Sequence, residues 1–160
     1  MNYEEDMMLS KVEVDGLSKS SFLLGLLSAF DNRFQASADK FFKEITWKQY
    51  FAVISIDLFK EAPTINELAD FMGCSHQNVK QILLKLQVKG FIKLFPDKSD
   101  KRKLRIQLTK IGKDFLLNNE EKANGIVQKI FKGIDEEHIK TTIQTLMIME
   151  KNIVQITMGK

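Results

Sequence analysis

Thr64-Ile65-Asn66-Glu67-Leu68-Ala69-Asp70-Phe71-Met72-Gly73-Cys74-Ser75-His76-Gln77-Asn78-Val79-Lys80-Gln81 holds two helix starts and one helix stop within eighteen residues. Thr64 and Glu67 have capping-box spacing, in which the threonine hydroxyl takes one orphan amide and the glutamate reaches back to another. Gly73 ends that short helix, because glycine enters the left-handed conformation that closes a helix without steric penalty. Ser75 caps a second helix almost at once, and this one runs to Lys89 and stops at Gly90. Two helices joined by a three- or four-residue turn containing glycine form a helix-turn-helix.

Downstream of Gly90 the apolar period changes from 3.6 to 2. Phe91-Ile92-Lys93-Leu94-Phe95 and Leu104-Arg105-Ile106-Gln107-Leu108 read as strands, with the polar stretch 96–103 as the turn between them. The hairpin therefore has a basic tip, and helix, turn, helix, hairpin is the order of a winged helix. Upstream, Leu23, Leu27, Phe30, Phe34, Ala38 and Phe41 recur at spacings of three and four, the stripe of a long helix beginning at Lys19. Thr46 and Gln49 make another capping box, opening a helix from about Trp47 to Phe59 that Ala62-Pro63 interrupts. Thr109 caps a long helix from about Lys110 to Lys132, and Gly133 stops it. Asp135 caps a last helix carrying Ile139, Ile143, Leu146, Met149 and Ile153 on one side. The expected fold is mainly α with a small β-hairpin wing.

Charge is unevenly distributed. Eight lysines and two arginines stand against Asp97 and Asp100 between His76 and Lys110, while the remaining chain holds fourteen bases and nineteen acids. A concentrated positive segment on an acidic body is the footprint of a polyanion-binding surface. On the second helix of the pair, Val79, Ile82, Leu83 and Leu86 fall on a core-facing side. His76, Gln77, Asn78, Lys80, Gln81 and Lys85 fall elsewhere, as donors suited to base edges and phosphate. Lys98, Lys101, Arg102 and Lys103 crowd the wing tip, where their repulsion is relieved by an anion. An arginine there suits a narrow minor groove, with Asp100 placed to pair with Arg102.

Gly73-Cys74-Ser75 through Gly90-Phe91-Ile92, then Asp97-Lys98-Ser99-Asp100-Lys101-Arg102 and Leu108-Thr109-Lys110-Ile111-Gly112, resemble the MarR family of winged helix-turn-helix transcriptional regulators. The similarity is strongest over 63–112, and the six-helix order extends it to about 19–157. The resemblance implies a homodimer with interlocking first, fifth and sixth helices that binds a near-palindromic operator in double-stranded DNA, usually as a repressor. Carried over by position, Ser75 to Gln81 read bases, Asp100 and Arg102 form the wing tip, and Lys48 meets phosphate. Relatives often carry arginine where Gln81 stands, which implies a more A·T-rich operator here. The resemblance also implies a cleft for a small aromatic or phenolic effector, for which Phe30, Phe34, Trp47, Tyr50 and Phe51 are the candidates. The plainer reading of those five is packed core.

The division expected is an N-terminal arm (1–18), a helical dimerisation region (19–45 and 110–160) and a winged helix-turn-helix (46–109). No Gly-rich phosphate loop, Gly-x-Ser-x-Gly elbow or His-Glu-x-x-His is present, so no enzyme activity and no cofactor are expected. Two histidines, His76 and His138, far apart in sequence, suggest no metal site. The longest apolar run, Phe22 to Leu27, is broken by Gly25, and the chain opens on acids, so a cytoplasmic protein with no membrane partner is expected. Cys74 is read as a small buried hydrophobe. Two alternatives stay open: a protein-interaction module that has lost DNA binding, and a redox sensor acting through Cys74.

Overall fold

The computed structural model describes residues 16–159, so the expected arm lies, over residues 1–15, outside the described residues. Six helices and one hairpin follow in the order α1 (Lys19–Ala38), α2 (Trp47–Leu58), α3 (Ile65–Met72), α4 (His76–Val88), β1 (Ile92–Pro96), β2 (Leu104–Leu108), α5 (Lys110–Ile130) and α6 (Glu136–Met158). The chain divides into two compact units, one ending at Asp114 and the other beginning at Phe115, within α5.

The helix starts are chemically local. Thr46–Gln49 and Thr64–Glu67 both form complete capping boxes, and Ser75 and Asp135 accept from the backbone N–H groups of Asn78 and His138. α1 stops at Ala38, three residues short of the apolar stripe read from the sequence, so Phe41 lies beyond it. The tight bonds Lys40 N–H to Ser37 and Phe41 N–H to Ala38 close its last turn, and the Asp39 carboxylate instead accepts from Trp47 N–H at 2.8 Å. That carboxylate satisfies an orphan amide at the start of α2 and joins the two helices.

The core of the first unit is built by α2, α3, α4 and the hairpin. Val53, Leu68, Val79, Leu83, Leu86 and Ile106 are all essentially inaccessible to solvent. β1 and β2 pair antiparallel from Ile92↔Leu108 to Pro96↔Leu104, so β1 sits one residue later than the apolar run suggested. Pro96 is tolerated there because it ends an edge strand. Pro63 adds a partial third strand, its carbonyl accepting from Ile106 N–H at 2.8 Å beside a Thr64–Arg105 bridge. α3 and β2 are thereby tied before the wing begins. In the second unit, α6 has no buried residue among those whose side chains are described, and it carries exposed Ile143, Met147, Ile148, Ile153, Val154 and Ile156.

Candidate nucleic-acid interface

The turn between α3 and α4 sets the angle at which α4 leaves the core. Gly73 adopts φ 62°, and the Cys74 N–H donates back to the Ala69 carbonyl at 3.1 Å. Ser75 then accepts from Asn78 N–H at 3.2 Å, so its hydroxyl oxygen acts first as the helix cap. His76, Gln77, Asn78, Lys80, Gln81 and Lys85 are all exposed, while Val79, Leu83 and Leu86 anchor the opposite face. Ile82 is half-buried between the two. The first turn of α4 thus presents its free amide ends and its polar side chains outward together.

The wing tip is organised from inside by a residue that carries negative charge. Asp97 is only 6% exposed and accepts from the Ser99 hydroxyl at 2.5 Å and the Ser99 and Asp100 amides at 2.8 and 3.0 Å. The Arg105 guanidinium pairs with its other oxygen and donates in turn to the Ala62 carbonyl at 2.6 Å. The Ser99 hydroxyl, then Arg105, then these amides hold the Asp97 carboxyl well below the usual carboxylate range. Arg105 is pushed the other way, chiefly by its bond to Asp97. Above this anchor, the Asp100 carboxylate accepts from Arg102 N–H and Nε, both at 3.1 Å, while Arg102 remains 91% exposed. Asp100 therefore orients the arginine without covering it, and its own pKa is lowered by that bond. Lys98, Lys101 and Lys103 are exposed around the tip.

Between α4 and the wing lies an open cleft of about 550 Å³. His76 and Lys80 line one side and Arg102, Lys103 and Arg105 the other, with Asn66 and Glu67 of α3 at its end. A second cavity, of about 570 Å³, lies on the other flank of α4, and Lys48, Asn78 and Gln81 share its wall with Asp31 and Gln35. The thirteen residues singled out from the sequence therefore fall around α4 and the wing, with Lys48 joined to them through this second cavity. Ser75, Gln77, Lys85, Lys98, Asp100 and Lys101 line neither cleft.

The five aromatics expected to line an effector cleft do not act as one wall. Trp47 and Phe51 face the second cavity with Met72, Cys74 and Ile82, but Phe30, Phe34 and Tyr50 do not line it. Tyr50 is 5% exposed and stacks on Phe42 at 4.2 Å, so it is core. Phe34 meets Trp47 edge-on at 4.8 Å and stacks on Phe30 at 5.9 Å, forming a ladder behind the tryptophan. Cys74 is half-buried in the cavity wall and not a core residue, because the turn that carries it faces the space between α2 and α4.

Sequence reasoning missed Arg105 and Asp97 as positioning residues. The Asp97-x-Ser99 spacing, which favours a side chain bonding two residues on, was the available signal for the aspartate. No local pattern announced Arg105, whose partner arrives only when the hairpin closes.

A sequence model of the MarR family matches residues 45–104, which span α2, the helix-turn-helix and the wing. The fold is similar to that of a MarR/EmrR family transcriptional regulator from Acinetobacter sp. ADP1, with a TM-score of 0.77 and 14% identity over 87% of this chain and 99% of that one. It is similar to BpsR of Bordetella bronchiseptica, whose structure concerns regulation of DNA binding by 6-hydroxynicotinic acid, with a TM-score of 0.72, 18% identity and coverage of 84% and 96%. The S. aureus MepR–DNA complex gives a TM-score of 0.69 and 20% identity over 85% of this chain and 98% of MepR. No helix among the described residues is long and apolar enough to cross a membrane. Residues 45–104 of this chain are thus similar to the MarR-family winged helix-turn-helix, and its six-helix fold is similar to that of solved MarR-family transcriptional regulators.

Proposed function

We propose that this protein is a transcriptional regulator that binds a near-palindromic operator in double-stranded DNA as a homodimer. In this reading α4 with its caps (75–89) enters the major groove, and the wing (96–103) follows the backbone into the adjacent minor groove. The observation that carries it is the cleft between α4 and the wing, where Lys80, Arg102, Lys103 and Arg105 converge on a space open to solvent. Asp97 and Asp100 pair with Arg105 and Arg102, and the positive charge left exposed on Lys80, Lys103 and the outward face of Arg102 suits a phosphodiester strand passing through the cleft. Arg102, oriented by Asp100 yet exposed, is suited to the enhanced negative potential of a narrow minor groove. MepR, with the same fold, is known in complex with DNA.

Dimerisation through 19–45 and 110–160 is supported by apolar surface left uncovered in one chain. Leu23, Leu24, Leu26 and Phe30 of α1 and Leu117, Val127 and Ile130 of α5 are exposed, as are the six apolar residues of α6 named above. Apolar surface on this scale marks an interface. A two-fold dimer then presents its recognition helices to half-sites about one DNA turn apart, roughly 34 Å. Repression is the sense that the family resemblance implies.

An aromatic or phenolic effector fits the second cavity, where Trp47 and Phe51 provide faces for stacking and Lys48 a cation. Because Asn78 and Gln81 share that wall, an occupant competes with the base-reading face of α4. BpsR, of like fold, is regulated by 6-hydroxynicotinic acid, a small aromatic acid.

The test is selection of random duplex DNA on the purified protein, repeated with Arg102→Ala. Enrichment of a near-palindrome, weakened in the variant, is the expected result. No enrichment by a folded dimer overturns the reading and leaves a winged helix that serves a protein partner.

A further inference from the structure

We infer that Leu84 reads thymine, its side chain covering a C5-methyl group on the floor of the major groove. The inference rests on the DNA-binding reading above and adds a specificity determinant to it. With 3.6 residues per turn, the face of α4 opposite the buried Val79, Leu83 and Leu86 is occupied by residues 77, 81, 84 and 88. Gln77 and Gln81 take the first half of this outward row, and the second half is apolar, with Leu84 56% and Val88 82% exposed. Lys80 and Lys85 stand on the two shoulders of the row, both exposed.

An apolar strip in line with two base-reading amides, with a cation on each side, specifies an unusual partner surface. It must offer negative charge along both edges and an apolar group between them. A protein surface with an apolar centre and acidic margins answers part of this, but it gives no reason for the aligned glutamines. The major groove answers all of it: phosphates form both walls, adenine offers the paired donor and acceptor that glutamine matches, and thymine carries the only methyl group among the four bases. The spacing agrees. Leu84 lies three residues beyond Gln81, about 4.5 Å along the helix at 1.5 Å per residue. One base-pair step is about 3.4 Å, so the two side chains address neighbouring pairs.

The experiment uses the duplex recovered by the selection described above, remade so that each thymine of a half-site is replaced singly by deoxyuridine. Uracil pairs as thymine does and lacks only the methyl. Wild-type protein is expected to lose about fourfold in affinity at one position per half-site, the worth of one buried methyl, and little elsewhere. Leu84→Ala is expected to bind the parent duplex more weakly by a similar factor and to be indifferent to uracil at that position. Because Leu84 is largely exposed, the variant retains the melting temperature of the parent, which circular dichroism checks. Indifference of the wild type to uracil throughout, or an unchanged uracil penalty in Leu84→Ala, overturns the inference while DNA binding stands. Failure of any duplex to bind removes both.

Discussion

Gly112 approaches Phe91 so closely that a Cβ on the glycine would fall 2.3 Å from the Phe91 carbonyl oxygen. The same carbonyl accepts from Thr109 N–H at 3.0 Å and from the Thr109 hydroxyl at 3.2 Å. That hydroxyl reaches the Gly90 carbonyl at 2.6 Å and receives the Gly112 N–H at 3.2 Å. The Leu108-Thr109-x-x-Gly112 motif thus locks the first turn of α5 onto the start of β1, and glycine is required because the obstacle is backbone.

Gly112→Ala is therefore expected to destabilise the protein by about 1–3 kcal/mol, the range of forced overpacking. Helix propensity works in the opposite direction, favouring alanine by about 1 kcal/mol, so the sign of the change discriminates. Urea unfolding of the two proteins measures it, and a stabilised variant contradicts the close packing.

Asp97→Asn separates charge from position. The substitution removes a negative charge from the basic wing, so long-range electrostatics alone predicts tighter DNA binding. If Asp97 instead holds the tip through Ser99, Asp100 and Arg105, affinity falls, by about as much as in Arg102→Ala. A binding titration at one fixed salt concentration decides between these outcomes, and the fall is expected.

Acid should loosen the same tip. The folded Asp97 carboxyl is held below its ordinary value, so its contribution is fully present above the unfolded pKa near 3.8 and is lost as pH falls through the lower folded value. The protection of the Ser99 and Asp100 amides, measured against the intrinsic exchange rate at each pH, is expected to hold at pH 4 and to collapse only in stronger acid. In Asp97→Asn this acid transition should vanish.

Salt dependence counts the phosphate contacts. The slope of log affinity against log salt should flatten by about 0.9 for each lost contact on duplex DNA, hence by nearly two for Lys80→Ala or Arg102→Ala in a dimer. Lys132→Ala, on the loop after α5, should leave the slope unchanged. Equal slopes for all three would remove the α4–wing cleft as the phosphate track.

Trp47 is the single tryptophan and faces the second cavity. A small aromatic acid that enters it should quench the fluorescence and, in the same concentration range, release bound DNA. Lys48→Ala should weaken both responses together by about tenfold if the cation holds the acid group, a factor equal to about 1.4 kcal/mol. Quenching without release would separate the cavity from regulation.

Much of this protein is determined within short windows of sequence. A helix start depends on an oxygen and an amide three residues apart, which is why Thr46, Thr64, Ser75 and Asp135 were legible as caps before any fold was known. Periodicity likewise identified the buried side of α4 and the alternation of β2, and the cationic wing needed only counting. What failed at this level was what depends on distant closure. α1 ends at Ala38, where the Lys40 and Phe41 N–H groups turn to carbonyls three residues back and the Asp39 carboxylate accepts from Trp47, eight residues on, and an apolar stripe carries no record of either. Arg105 became the brace of the wing because hairpin pairing brings it beside Asp97 and the α2–α3 loop brings Ala62 within reach. The aromatic residues divided into core, ladder and cavity wall according to which helix faced them, since periodicity reports that a side is covered and not by what. Exposure of Leu84 in line with Gln77 and Gln81 was decided in the same way, by the packing of Val79, Leu83 and Leu86 that turned the opposite face of α4 to solvent.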